Sequence, residues 1–341
     1  MRKLYFLYLL LGVMLAGTSC DTGQESDHEV PDISDIKVDV KVRRLEKEFF
    51  ALKSREEVTK FLMANPAIEQ RYIRNYTPFD PAKLPDLLLG SIEYTANDTL
   101  NQDVEKIFAD FTPYEKQFEE AFRYVKYYFP EFKVPEIYTM VSGFGHFGYG
   151  GDVVDCGDFI VIGLDYFAGM EATYRPPETP AYQMSRYEPE YIVPTVMMLL
   201  SGRFNHVDMQ DKTMLGEMIA YGKSYEFVNR TLPYIADSLV WGWTGEQTAG
   251  AFHNEGKIWK HFVENDLFYT KDRFIKNKYI GERPAVNEID SQCPGRIGRW
   301  LGWRVVQQYM QKYPNLTLKE VMATEDAKKI FQGSRYRPPV D

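Results

Sequence analysis

Cys293-Pro-Gly-Arg-Ile-Gly-Arg-Trp-Leu-Gly-Trp-Arg-Val-Val-Gln-Gln-Tyr-Met310 is the stretch on which the reading of this chain turns. It predicts a helix from Pro294 to about Tyr313, with proline at a first position where a missing N–H is harmless. At about 100° per residue, Gly295, Gly298, Gly302, Val306 and Tyr309 fall on one stripe. Glycine inside a helix costs roughly 1 kcal/mol against alanine. Three of them on one face therefore call for another backbone packed close by. Ile297, Leu301 and Val305 line the opposite side, with Trp300 and Trp303 between, so the helix is apolar nearly all round and belongs in the core. Arg296, Arg299 and Arg304 must then pair with acids or reach water, because an unpaired buried charge is too costly. Glu217 and Glu226, on a helix expected at 212–229, are the acids proposed for these structural ion pairs.

Length bounds the rest. The 341 residues suffice for one large domain or two small ones, and 24 tyrosines and 22 phenylalanines can fill a sizeable core. The formal charge is −9. Without a large basic block, such a chain has no nucleic-acid partner.

The N-terminus reads as a secretory signal peptide, residues 1–19: Arg2 and Lys3, an apolar run from Leu4 to Ala16, then Gly17-Thr18-Ser19-Cys20. The run is too short for a membrane span of about 20 residues. Cys20 after small residues resembles a bacterial lipobox, which implies cleavage before Cys20 and lipid attached to it. Residues 20–36 then form a flexible tether, and 37–341 a single domain. With Cys20 lipidated, Cys156 and Cys293 remain, either as one disulfide or as two buried thiols.

Periodicity sketches an α+β fold, dominated by helices, with a small sheet in the N-terminal half. Val38, Val40 and Val42 alternate with charged residues as in a strand, followed by a helical pattern from Leu45 to Met63 and shorter helices near 66–75 and 83–92. Two amphipathic helices, Asn97–Ala109 and Pro113–Phe129, flank a Thr112 cap. Ile137–Ser142 and Phe159–Leu164 read as strands around a glycine-rich mobile loop, and 165–188 as an irregular segment. Helices follow near 189–204, 212–229, 244–265, 294–313 and 317–331.

Catalytic patterns are few. His146 stands alone in the glycine-rich loop. His253 and His261 are two turns apart on one expected helix, and Glu264 follows His261 by three residues, as on many solvated faces. Asp152, Asp155 and Asp158 cluster near the strands but lack the glycine and final glutamate of a calcium loop. There is no His-Glu-x-x-His and no Gly-x-Ser-x-Gly. These residues call for no catalytic set, no metal and no other cofactor.

Several segments together carry a resemblance: the lipobox, Val38–Phe50, Tyr127–Phe132, Phe159–Asp165, Glu188–Pro194 and Pro294–Trp303. The chain resembles the gliding-motility lipoprotein GldB family over nearly its whole mature length. That implies an envelope lipoprotein of gliding-type Gram-negative bacteria, held to a membrane by its anchor, with other envelope proteins of the gliding and secretion apparatus as partners and a domain in the periplasm or at the surface. The second half also resembles predicted zinc proteases of the zincin type. On that alignment Val193–Arg203 is the metal helix, the two histidines fall at Met198 and Gly202, the glutamate at Leu199, and the third ligand at Tyr221. The resemblance implies a zincin-like scaffold with a degenerate metal site, since none of these side chains binds zinc or activates water. Two other readings stay open: a hydrolase on peptide or cell-wall glycan using carboxylates such as Glu217 or the Asp152, Asp155 and Asp158 group, and a glycan- or peptide-binding surface lipoprotein.

Overall fold

A four-stranded sheet divides the hydrophobic interior in two. In the computed structural model, which describes residues 29–74, 80–95, 99–146, 148–177 and 179–339, β1 (Val42–Arg44), β2 (Glu136–Met140) and β4 (Phe159–Gly163) run parallel, and β3 (Val153–Asp155) closes the edge antiparallel to β4. The strand order is β1-β2-β4-β3. Every residue of β4 is buried. Its alternate side chains serve different cores: Phe159 and Val161 join the smaller cluster, Ile160 and Ile162 the larger. A parallel strand covered on both faces reads as an unbroken apolar run, which is why this segment shows no polar alternation.

Helices α1 (Leu45–Phe50), α2 (Arg55–Ala64), α3 (Pro66–Ile68) and α4 (Leu84–Thr95) cover the smaller core. The run expected as one helix from Leu45 to Met63 is two, because Ser54 takes extended geometry and caps Glu57. Of the alternating valines only Val42 enters the sheet; Lys41 contributes its carbonyl to Ile137 N–H.

After α5 (Thr99–Ile107) and α6 (Thr112–Tyr128) comes a short helix, α7 (Ala181–Met184); α5 and α6 build the larger core with α8 (Ile192–Ser201), α9 (Met214–Thr231), α10 (Asp237–Trp241), α11 (Gly245–His253), α12 (Glu255–Glu264), α13 (Arg273–Tyr279), α14 (Ile297–Lys312), α15 (Leu318–Ala323) and α16 (Ala327–Ser334). Thr112 is the first residue of α6 rather than its cap, and the Asp110 side chain accepts its N–H. The helices expected at 244–265 and 317–331 are each broken once, at Asn254 and at Thr324–Asp326, where Asp326 caps the second piece.

The glycine stripe of α14 meets backbone. A Cβ on Gly302 would lie 1.9 Å from the Met218 carbonyl oxygen of α9, and one on Gly222 of α9 would lie 2.4 Å from the Gly302 carbonyl carbon. The two helices therefore touch along their main chains. The helix itself starts later than expected: Pro294 bridges to Ala285, Arg296 takes a left-handed φ of 64°, and α14 begins at Ile297.

Cys20, the segment 1–19 and residues 20–28 of the expected tether lie outside the described residues. Ile33 and Ile36 are held, since Arg123 of α6 donates to both carbonyls at 2.7 and 2.8 Å. The start of the glycine-rich loop is anchored rather than mobile. Buried Asp165 accepts from Ser142 N–H, Ser142 Oγ and Phe144 N–H, and Tyr149 is buried in the smaller core. Cys156 and Cys293 are separate buried thiols, and burial pushes both up to about 12. Among the described residues, no helix is long and apolar enough to cross a membrane.

Candidate functional site

Where α8, α9 and α10 converge below the start of α14, a cavity of about 320 Å³ opens, lined by Met198, Tyr221, Tyr225, Trp241, Arg186, Glu282, Arg296 and Arg299 among others. Three guanidinium groups surround one carboxylate. Arg186 Nη2 donates to Glu282 at 2.8 Å, and Arg296 Nε and Arg299 Nη1 each lie 3.6 Å from it. Burial would raise the Glu282 pKa, but Arg296, Arg186 and Arg299 together hold it below the usual carboxylate range.

Local structure places each of these groups. Arg296 sits at the entrance to α14 in left-handed geometry, a conformation costly for a residue with a Cβ. That turn lets its Nη2 donate to the carbonyls of Trp241 and Gly242 at 2.6 and 3.2 Å. Burial lowers its pKa, which marks a cation held where solvation is poor. Gly242 ends α10 at φ 63°, and a Cβ there would lie 2.3 Å from Arg186 Cδ. Glycine thus meets two demands, the left-handed cap and room for Arg186. Arg299 lies over Tyr221, 4.1 Å from the ring centroid, with its Nε donating to the Ile280 carbonyl at 2.6 Å. The indole N–H of Trp241 is buried with no acceptor among the described residues.

Of the positions aligned with a zinc site, Met198 and Tyr221 face this cavity. Leu199 and Gly202 are not part of its lining; Leu199 is 36% exposed and Gly202 caps the exposed end of α8. The described residues contain no group of three His, Cys, Asp or Glu placed to hold a metal.

The acids proposed as partners for the α14 arginines are engaged elsewhere. Glu217 pairs with Lys276 of α13, and Glu226 with Arg230 at 2.6 Å. Glu226 does reach α14, but as the acceptor of the Trp303 indole N–H at 2.9 Å. Glu282, from the segment after α13, serves Arg296 and Arg299, while Glu255 of α12 takes Arg304 at 2.5 Å. Charge has no helical period, so nothing in the sequence pointed to Glu282, Glu255 or Arg186.

The remaining candidates disperse. Asp155 pairs with Arg203 and Asp158 with Arg71, while Asp152 accepts from Tyr187 at the cavity edge. His253 is exposed on α11, whereas His261 on α12 meets the Tyr279 hydroxyl at 2.8 Å. Glu264 pairs with Lys260 on the surface. His146 is exposed, its ring 6.5 Å from that of Tyr94.

No curated protein and no solved structure matches the chain. The family model described as gliding motility protein GldB matches residues 26–338, nearly the whole chain. A match of that extent, running through every strand and helix described, places the chain in the GldB family of gliding motility proteins.

Proposed function

We propose that this member of a gliding-motility lipoprotein family is a non-catalytic, lipid-anchored envelope protein, acting through contact with other proteins of the gliding and secretion apparatus. The observation that carries the reading is the guanidinium of Arg299 seated on Tyr221, with Arg296 and Arg186 beside it. These cations stand where the zincin alignment sets a third metal ligand. Positive charge at that place opposes a divalent cation and the lone pairs of Met198 and Tyr221 offer it little, whereas an anionic group on a partner is attracted. Cys20 supplies the anchor. Several acyl chains, each CH₂ worth about 0.8 kcal/mol when buried, make membrane attachment effectively permanent.

Two measurements test the proposal. Elemental analysis of the purified protein should find no stoichiometric zinc; zinc at one per chain, with peptide cleavage lost on chelation, would replace this reading with a peptidase. Recovery of the lipidated protein from crosslinked envelopes should bring partners with it, and Cys20→Ala should release the protein from membranes. A Cys20→Ala protein that stays membrane-bound would remove the anchor from the proposal.

A further inference from the structure

Beside the arginine-lined cavity lies a second hollow of about 400 Å³, and the two share Pro194 and Leu239 as a common wall. Their chemistry differs. The first presents three guanidinium groups against two carboxylates, Glu282 and Asp152, leaving one positive charge in excess. The second has apolar surfaces from Leu232, Ile235 and Leu239 and two acids, Glu120 and Glu190.

We infer that the paired hollows receive the C-terminus of a peptide, its terminal carboxylate among Arg186, Arg296 and Arg299 and its preceding apolar residues passing over Pro194 and Leu239. The inference rests on the contact reading above and names the chemistry of the contact. A single excess positive charge suits a monoanion better than a phosphate, which carries about −1.5 to −2 at neutral pH. Guanidinium groups present planar forks that match a carboxylate, and three of them hold more N–H donors than one glutamate can accept. Direction follows from charge: Glu120 and Glu190 repel a second carboxylate, so the acid end belongs in the first hollow and the apolar residues before it in the second.

The test uses the full-length protein in detergent and randomised N-acetyl tetrapeptide libraries, one with free C-terminal acids and one with C-terminal amides, read by equilibrium dialysis and mass spectrometry. The acids should be retained at least tenfold better than the amides. Arg186→Gln and Arg299→Gln should each lower retention of acids about tenfold and leave the amides unchanged. Inorganic phosphate at equal concentration should not displace the acids. Thermal unfolding of each variant, matched to the parent, confirms that it is folded. Equal retention of the two libraries, no retention of either at millimolar peptide, or displacement by phosphate would overturn the assignment. Failure here with a zinc-free, non-cleaving protein would leave the contact reading intact, whereas stoichiometric zinc would remove both.

Discussion

Replacing Gly302 with alanine adds one methyl group where α14 meets the main chain of α9 in the larger core. Its Cβ would sit 1.9 Å from the Met218 carbonyl oxygen and 2.4 Å from the carbonyl carbon. Neither atom belongs to a flexible side chain, so α9 and α14 must part by roughly 1 Å merely to reach 3.0 Å, the closest approach that a Cβ tolerates. A gap of that size forfeits a quarter to a half of the dispersion energy of the facing atoms. Overpacking of this kind costs about 1–3 kcal/mol, with backbone clashes toward the upper end. Alanine returns about 1 kcal/mol of helix propensity. The expected net loss is about 2 kcal/mol. Gly250 of α11 is the internal control, because a Cβ there meets nothing within 4 Å. Gly250→Ala should therefore stabilise by up to about 1 kcal/mol. Urea unfolding followed by tryptophan fluorescence reads both, as Trp300 and Trp303 lie on α14 itself. With a slope of about 3 kcal/mol/M, Gly302→Ala should lower the midpoint by roughly 0.7 M and Gly250→Ala should raise it. A Gly302→Ala midpoint equal to or above the parent's, with Gly250→Ala behaving as stated, would refute the backbone contact.

Asp165 is fully buried, and burial outweighs its hydrogen bonds, raising its pKa from 3.8 to about 6. Between those values the unfolded chain binds fewer protons than the native one, so this group's contribution to stability falls as pH rises from about 4 to 6; thermal unfolding across that range should show the stability difference between Asp165→Asn and the parent moving toward the variant, and a constant difference would contradict it. Lys223 is buried and donates to the carbonyls of His206, Met322 and Thr324; Lys223→Met takes this donor from the His206 and Thr324 carbonyls, while Met322 keeps the His206 N–H, and should cost about 2 kcal/mol or more by urea unfolding, and a neutral substitution would contradict the bonding. Burial raises the Cys156 and Cys293 thiols to about 12, so both should resist a thiol reagent in the native protein and react on unfolding; rapid labelling of either in the folded state would show it exposed.

Some of this arrangement was legible from residue order and some was not, for identifiable reasons. The α14 glycines announced a close neighbour because each is expensive in a helix and all fall on one stripe. Their partner, Gly222 of α9, shares its helix only with Gly216, six residues away and so on a different face, and isolated glycines of that kind form no stripe. Strand β3 escaped notice since Val153 and Val154 are its whole apolar content. The break at Asn254 was hidden because the apolar pattern continues through it and Asn254 keeps a negative φ of −103°. The cavity was only half visible. A buried arginine demands an acid, so Arg296 and Arg299 are conspicuous, but the helical pattern offers Glu217 and Glu226 as the acids. The acid comes instead from Glu282, in a segment with no periodic pattern to place it.

The glycine contact and the cavity are parts of one device. Tyr221 directly precedes Gly222 on α9, and Arg299 stands three residues before Gly302 on α14, on the turn that leads into the crossing. The distance that lets Arg299 lie over Tyr221 is therefore set by main-chain contact between Gly222 and Gly302. Side chains that hold a guanidinium over a ring from facing helices have little reach to spare, and an added gap of roughly 1 Å is a large part of a van der Waals contact. Gly302→Ala should then weaken retention of free-acid peptides as well as stability, even under conditions where the variant is fully folded. Lys223→Met, whose bonds run to His206 and to the Met322–Thr324 segment, should lower stability and leave retention as it was. If both substitutions reduced retention in proportion to their loss of stability, the helix crossing would be acting only as a packing element and not as the gauge of the site.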